Sequence, residues 1–217
     1  LPAFDRFWGV RDLATDGRVL VVAGDFTSVA GVPAQGFTIF PAAPPPAPPP
    51  VSLPANATWR YLDSGVLEPG WSDPTFDDTT WAQGPAQLGY GDGDEATVIS
   101  YGPNANQKYA TSWFRTTFLA TAVPATLTLD LVADDGAVVY VNGVEVLRDN
   151  VGPGDDVAAL RAASGRSGGA ENAVRSFVLP PELVIAGVNT IAVSVHQDAP
   201  ASSDLSFSAA LRSTAAG

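Results

Sequence analysis

The sequence predicts an all-β protein: an antiparallel β-sandwich of the jelly-roll kind, preceded by a short β-hairpin segment and a proline-rich linker. Three observations predict it. Apolar and polar residues alternate in several short runs, the pattern of half-buried strands. Turn formers are abundant, with Gly 21 and Pro 19 in 217 residues, which leaves little room for long helices. The run PAAPPPAPPP at 41–50 cannot donate ladder hydrogen bonds and favours an extended polyproline II spacer, so it divides the chain.

Before the spacer, residues 1–40 read as a hairpin segment. RVLVVAG (18–24) is a strand, DFTSVAGVPAQG a glycine-rich turn, and FTIF (37–40) a closing strand. A lone hairpin is marginal in water, so this segment needs something to pack on. The run GDFTSVAGVPAQGFTIF (24–40) resembles the repeated blade motif of certain bacterial β-propellers. That resemblance implies that 1–40 is the last blade of a longer protein, or a remnant packed on the main domain, since one copy cannot close a propeller. Leu1 in place of a start methionine, with no methionine anywhere, suggests a fragment or a processed chain whose export signal would lie upstream.

After the spacer, residues 51–217 carry the sandwich. In TLTLDLV (126–132), Leu127, Leu129 and Leu131 share one face while Thr126, Thr128 and Asp130 share the other. AVVYVNG (137–143) ends in Asn142-Gly143, a tight-turn signal, and VEVL (144–147) completes a hairpin. NTIAVSVHQ (189–197) aligns Ile191, Val193 and Val195, and LSFSAAL (205–211) aligns Leu205, Phe207, Ala209 and Leu211. PPELVIAG places a short helical turn near 180–186, with proline at its entry and Gly187 at its exit.

Composition narrows the partners. A net charge of −12 repels a phosphate backbone and argues against nucleic acid. No stretch approaches 18 uninterrupted apolar residues, so no helical membrane insertion is expected. The chain has no cysteine, which removes disulfides and thiolate metal sites. Calcium can supply the cross-linking instead in an extracellular module.

The acidic residues fall in groups within Gly- or Pro-rich turns: Asp73, Asp77 and Asp78; Asp92, Asp94 and Glu95; Asp134 and Asp135; Asp155 and Asp156. Calcium takes about six to eight oxygens, and free turn carbonyls can join such carboxylates around it. Asp77, Asp78, Asp92, Asp94, Asp134 and Asp135 are therefore the candidate calcium ligands, with a solvated acidic surface as the alternative. None of the turns matches the EF-hand loop.

Catalytic patterns are missing. His196 is the only histidine, too few for a zinc site or a nucleophile–base relay. It reads as a hydrogen-bonded residue near a strand end, or as a ligand contact. Asp134 and Asp135, as adjacent strand residues, are expected to face opposite ways, which does not suit a glycosidase pair. Ser202-Ser203-Asp204 is no nucleophile elbow, and GYGDG lacks the strand–helix setting of a nucleotide loop. Ten aromatic residues from Trp59 to Phe114 either fill a core or form a sugar-stacking platform. Trp71, Trp81, Tyr90 and His196 are the candidate carbohydrate contacts.

Taken in order, WRYLDSG (59–65), PGWSDPTFDDTTWAQGPAQLGYGDGDE (69–95), WFRTTF (113–118), LVADDGAVVYVNGVEVLRDN (131–150), GVNTIAVSVHQ (187–197) and SSDLSF (202–207) resemble a galactose-binding-like β-sandwich module. Such modules are appended to bacterial secreted enzymes and surface proteins. The resemblance implies a jelly roll, often with structural calcium, and either carbohydrate contact or architectural work at an extracellular or cell-surface location. The expected function is a non-catalytic accessory or adhesive domain stabilised by calcium. The alternatives are a carbohydrate-binding module of the same fold and a non-catalytic portion of a larger extracellular hydrolase. Expected partners are extracellular polysaccharide or neighbouring domains of the same polypeptide.

Overall fold

Strands and their turns account for nearly all regular structure in the computed structural model, which describes residues 9–16, 18–41, 49–154 and 157–215. Residues 42–48 of the proline run, and Asp155 and Asp156, lie outside the described residues. The chain divides into two units, Leu1–Ala47 and Pro48–Gly217.

The first unit holds β1 (Val10–Thr15), β2 (Val19–Gly24), β3 (Ser28–Val29), β4 (Val32–Pro33) and β5 (Phe37–Pro41). The expected strands at 18–24 and 37–40 pair directly as β2 and β5, and β1 adds a third strand on the other edge of β2. The intervening turn folds into the small β3–β4 hairpin. Val22, Phe26 and Val29 form its buried cluster, with Leu20, Ala34 and Phe40 against it.

The second unit contains β6 (Ser52–Leu53), β7 (Thr58–Leu62), β8 (Ala82–Pro85), β9 (Leu88–Tyr90), β10 (Thr97–Val98), β11 (Thr111–Ala120) and β12 (Thr126–Ala133). It continues with β13 (Gly136–Val141), β14 (Val144–Asp149), β15 (Arg175–Leu179), β16 (Gly187–His196) and β17 (Leu205–Thr214). These form two six-stranded sheets. One has the order β10-β9-β17-β12-β15, with β6 also on β17; the other has the order β14-β13-β16-β11-β7-β8. Pairing is antiparallel except between β9 and β10. This is an antiparallel β-sandwich of the jelly-roll class.

The alternation seen in sequence becomes the inner faces of the sheets. Leu127, Leu129 and Leu131 of β12, and Leu205, Phe207, Ala209 and Leu211 of β17, meet Ile191, Val193 and Val195 of β16 in one buried core. Phe207 joins the sheets: its ring stacks 4.2 Å from Phe114 and stands edge-on to Trp59 at 4.9 Å. Such rings add to the area they bury through their quadrupoles. The Asn142-Gly143 turn forms as expected, with φ of 49° and 82°, the left-handed pair that lets Val141 face Val144. The 180–186 turn is a 3₁₀ helix at Pro181–Leu183.

β16 departs from simple alternation. Ala192, Ser194 and His196 on its second face are as buried as the core face. Loop residues make the cover: Trp71, Trp81 and Phe76 pack with Trp113 and Ala192, and the backbone carbonyls of Ala158 and Leu160 receive Thr111 and His196. This stretch of the sheet is thus covered on both sides, while Val188, further along the same face of β16, stays exposed.

Candidate metal centre

Sheet order brings several of the turn carboxylates to one end of the β9–β17–β12–β15 sheet. Tyr90 closes β9 opposite Leu205, which opens β17, and Ala133 closes β12 opposite Phe207. Asp92, Asp204 and Asp134 follow or precede these ends by one or two residues. Glu171 lies just before β15, whose Arg175 faces Leu131. One carboxylate oxygen each from Asp92, Glu171 and Asp204 lie within 4.8 Å of one another.

Asp134 sits deepest, at 1% exposure, and its Oδ1 has no hydrogen-bond partner. Burial above all, then the charge of Asp135 and the hydrogen bond that the protonated Asp134 carboxyl donates to it, with Asp204 and Glu171 beyond, push its carboxyl up to about 8. Burial likewise raises Asp92, helped by Asp204, Asp94 and Glu95 and opposed by the Ser206 hydroxyl, which donates at 3.1 Å. Asp135 is satisfied differently. It accepts the backbone N–H of Arg166 at 2.6 Å and of Asp198 at 2.9 Å. Asp198 is itself raised, by burial first and by Asp135 next. The expectation that Asp134 and Asp135 face apart therefore fails. The pair lies in the turn between β12 and β13, outside the strand geometry that separates neighbours, and its carboxyls interact.

Asp77 and Asp78 lie in a different region, and their environment is that of structural acids. Asp78 takes Arg115 Nε at 2.9 Å and Arg60 Nε at 3.2 Å. The buried Arg115 also donates to the carbonyls of Trp71 and Asp73. Asp77 accepts the Thr79 hydroxyl at 2.7 Å and its backbone N–H at 3.0 Å, which lower its pKa. Asp73 does the same with Thr75. Asp94 is exposed beside Asp92. Of the six acids singled out in sequence, only Asp92 belongs to the cluster that Glu171 and Asp204 complete, and Asp134 is buried at the end of the neighbouring strand.

The profile of the beta-galactosidase second all-beta domain matches residues 67–200, more than half of the chain. The chain belongs to this family. The matched region corresponds to a non-catalytic all-β accessory domain rather than a catalytic module. No curated protein matches the sequence. Among solved structures, a glycosyl hydrolase family 2 member from Bacteroides cellulosilyticus is 16% identical, with a TM-score of 0.48 over 76% of this chain and 21% of that one. Bacteroides uniformis beta-glucuronidase 2 is 17% identical, with a TM-score of 0.44 over 76% and 18%. A beta-glucuronidase from glycoside hydrolase family 2 is 19% identical, with a TM-score of 0.42 over 67% and 14%. The chain therefore spans less than a quarter of the length of these structures.

Within the second all-beta domain, the candidate sugar contacts are interior groups. A stacking platform needs an open ring face, yet Trp71, Trp81 and Tyr90 are only 6%, 5% and 5% exposed. Trp71 stands edge-on to Tyr140 at 5.4 Å, and Phe76 to Trp81 at 5.6 Å. The Tyr90 hydroxyl accepts Gln197 Nε2 at 2.8 Å, and burial pushes it up to about 12. His196 is fully buried. Its Nδ1 donates to the Leu160 carbonyl at 3.0 Å, because a carbonyl can only accept, and its Nε2 accepts the Ser194 hydroxyl at 2.8 Å. Burial holds the imidazole neutral, down at about 4. The hydrogen-bonded reading of His196 matches this environment, and the sugar-contact reading does not. A polar groove is lined by Thr58, Arg60, Asp78, Gln83, Arg115 and Thr116.

Proposed function

We propose that this chain is a non-catalytic accessory portion of a larger extracellular carbohydrate hydrolase, and that a bound calcium ion stabilises it. The family match over 67–200 carries this reading, because the family takes its name from a domain of a glycosidase. It favours a part of a hydrolase over an independent adhesive module. An acidic chain without cysteine suits an extracellular or cell-surface setting, where calcium replaces disulfides as a cross-link.

Residues 1–40 fit the same picture as a blade-like unit of a neighbouring domain. Leu13, Phe37 and Ile39 are 59%, 53% and 51% exposed, apolar surface of the kind that a flanking blade covers.

Two assays test the proposal. The isolated 51–217 segment should turn over no aryl glycoside, while the natural polypeptide should hydrolyse one. Removing 51–217 from that polypeptide should lower its thermal stability or its activity on polymeric substrate. A full-length polypeptide without glycosidase activity would overturn the hydrolase reading.

A carbohydrate-binding role has one supporting feature, the polar groove beside Arg60 and Gln83. Polysaccharide pull-down, lost in Gln83→Ala and competed by soluble sugar, would favour it.

A further inference from the structure

We propose that the polar groove across β11, β7 and β8 binds an acidic sugar unit, carboxylated or sulfated, of an otherwise neutral glycan. This rests on the carbohydrate-binding reading of that groove and names the class of sugar it selects.

Strand register builds the groove. Phe114 and Phe118 of β11 belong to the core, so Arg115 and Thr117 share the opposite face. Arg115 pairs across to Arg60 of β7, and Arg60 pairs across to Gln83 of β8, which makes one row over three strands. Thr58 follows on the same face of β7 as Arg60, and it lines the groove together with Thr117. The floor is therefore a sheet, whose ladder fixes the spacing of these side chains before any ligand arrives.

Charge selects the ligand. The chain carries −12, yet this groove sets two arginines against one acid, Asp78. Asp78 gives one oxygen to each, with Oδ2 at 2.9 Å from Arg115 Nε and Oδ1 at 3.2 Å from Arg60 Nε. A surplus of one positive charge is left. The two guanidinium groups that carry it are held differently. Arg115 is buried, and Asp78 and the carbonyls of Trp71 and Asp73 engage all three of its nitrogens. The Arg60 side chain is 33% exposed, and its Nη1 reaches the carbonyls of Thr79 and Trp81 only at 3.4 and 3.3 Å. Its Nη2 donates to no group among the described residues. Around it, the Gln83 amide and the Thr58 and Thr117 hydroxyls are exposed and make no hydrogen bond among the described residues.

A guanidinium with an open N–H edge takes a carboxylate or sulfate through charge-assisted bonds. An amide and two hydroxyls, each able to donate and accept, suit the hydroxyls of the same sugar. The acids elsewhere on the chain oppose a long run of negative charge, and a single guanidinium is open. The groove is thus fitted to one acidic unit rather than to a polyanion.

The test follows the side-chain signals of Arg60 and Gln83 by NMR in the isotope-labelled whole chain. The probes are methyl glucuronoside and methyl galacturonoside, each as free acid and as methyl ester, and sulfated galactose with plain galactose as its neutral match. An acid should shift both signals saturably, and its neutral match should bind at least about tenfold more weakly, since a hydrogen bond to a charged group is lost. Response to the uronates alone, or to the sulfate alone, supports the proposal and names the oxyanion. Arg60→Gln should weaken binding of the acid by at least about tenfold. Arg212→Gln, at an exposed arginine on the other sheet, should leave it unchanged. Should Arg60→Gln fail to fold, Gln83→Ala and Thr117→Val, both at exposed positions, should each weaken it instead. Binding of the acid that persists unchanged in Arg60→Gln, or in both of the other variants, would overturn this groove as the site. Equal binding of acids and neutral sugars, lost in Gln83→Ala, would overturn the acidic class and leave the carbohydrate-binding reading standing. No saturable shift with any sugar at millimolar concentration would overturn both.

Discussion

Two acidic regions of the sandwich use the same residue type in opposite ways. Around Asp78, each charge has a counterpart: Arg60 and Arg115 hold the carboxylate, and Asp73 and Asp77 accept N–H and hydroxyl donors. At the sheet end, Asp92 and Asp134 are raised by burial and by other acids, and Asp134 Oδ1 has no donor. The first region is complete with protein groups alone. In the second, none of the ion pairs among the described residues reaches these carboxylates. Clustered acids in a sequence therefore say little about metal until the basic residues near them are located.

The largest break in the comparison should come from Arg115→Ala. The guanidinium is buried beneath Phe76, which it faces at 5.2 Å, and it serves Asp78 and two backbone carbonyls together. Its loss strands these acceptors and should cost about 3–5 kcal/mol in urea unfolding. Calcium should not restore it.

Next in size is a pH effect from the face of β16 beside that end. Burial holds His196 down at about 4, against an unfolded value of about 6.5. Between these values the unfolded chain binds a proton that the folded chain refuses. The contribution of His196 to stability is thus complete above pH 6.5, falls as pH drops through this window, and levels off below about 4, in total about 3 kcal/mol. Urea melts at pH 7 and 4.5 should show wild type losing about 2–3 kcal/mol more than His196→Gln. Equal losses would mean that the imidazole protonates without leaving its hydrogen bonds to Ser194 and Leu160.

Much of the sandwich was legible because its strands keep a period of two and its main hairpin turns on Asn142-Gly143. β1 was not, since VRDLAT is exposed along its whole length and so shows no apolar period. The second burial of β16 was hidden too. What covers Ser194 and His196 are loop residues from distant sequence, which leave no pattern in the strand itself. Aromatic residues in loops looked available for sugar because loops are usually exposed, but here the loops roof a sheet. At the acidic sheet end, Asp92 and Asp134 were visible as turn acids. Glu171, in AENA, and Asp204, in SSD, carried no signal, because they meet the others only through strand order. Their one readable mark is position: each acid precedes or follows a strand.

The finest test of the comparison is a difference in sign between two asparagine substitutions, both measured in chelator. Asp78→Asn removes the charge shared by two arginines, one of them buried, and should destabilise by about 2 kcal/mol. Asp134→Asn removes a carboxyl that burial and its acidic neighbours already disfavour as an anion. It should cost nothing, or stabilise by up to about 1 kcal/mol, because like charges no longer meet in a poorly solvated corner. Adding calcium should then stabilise Asp78→Asn as it does wild type. If both substitutions destabilise equally, the two regions are alike, and Asp134 is held by donors just as Asp78 is.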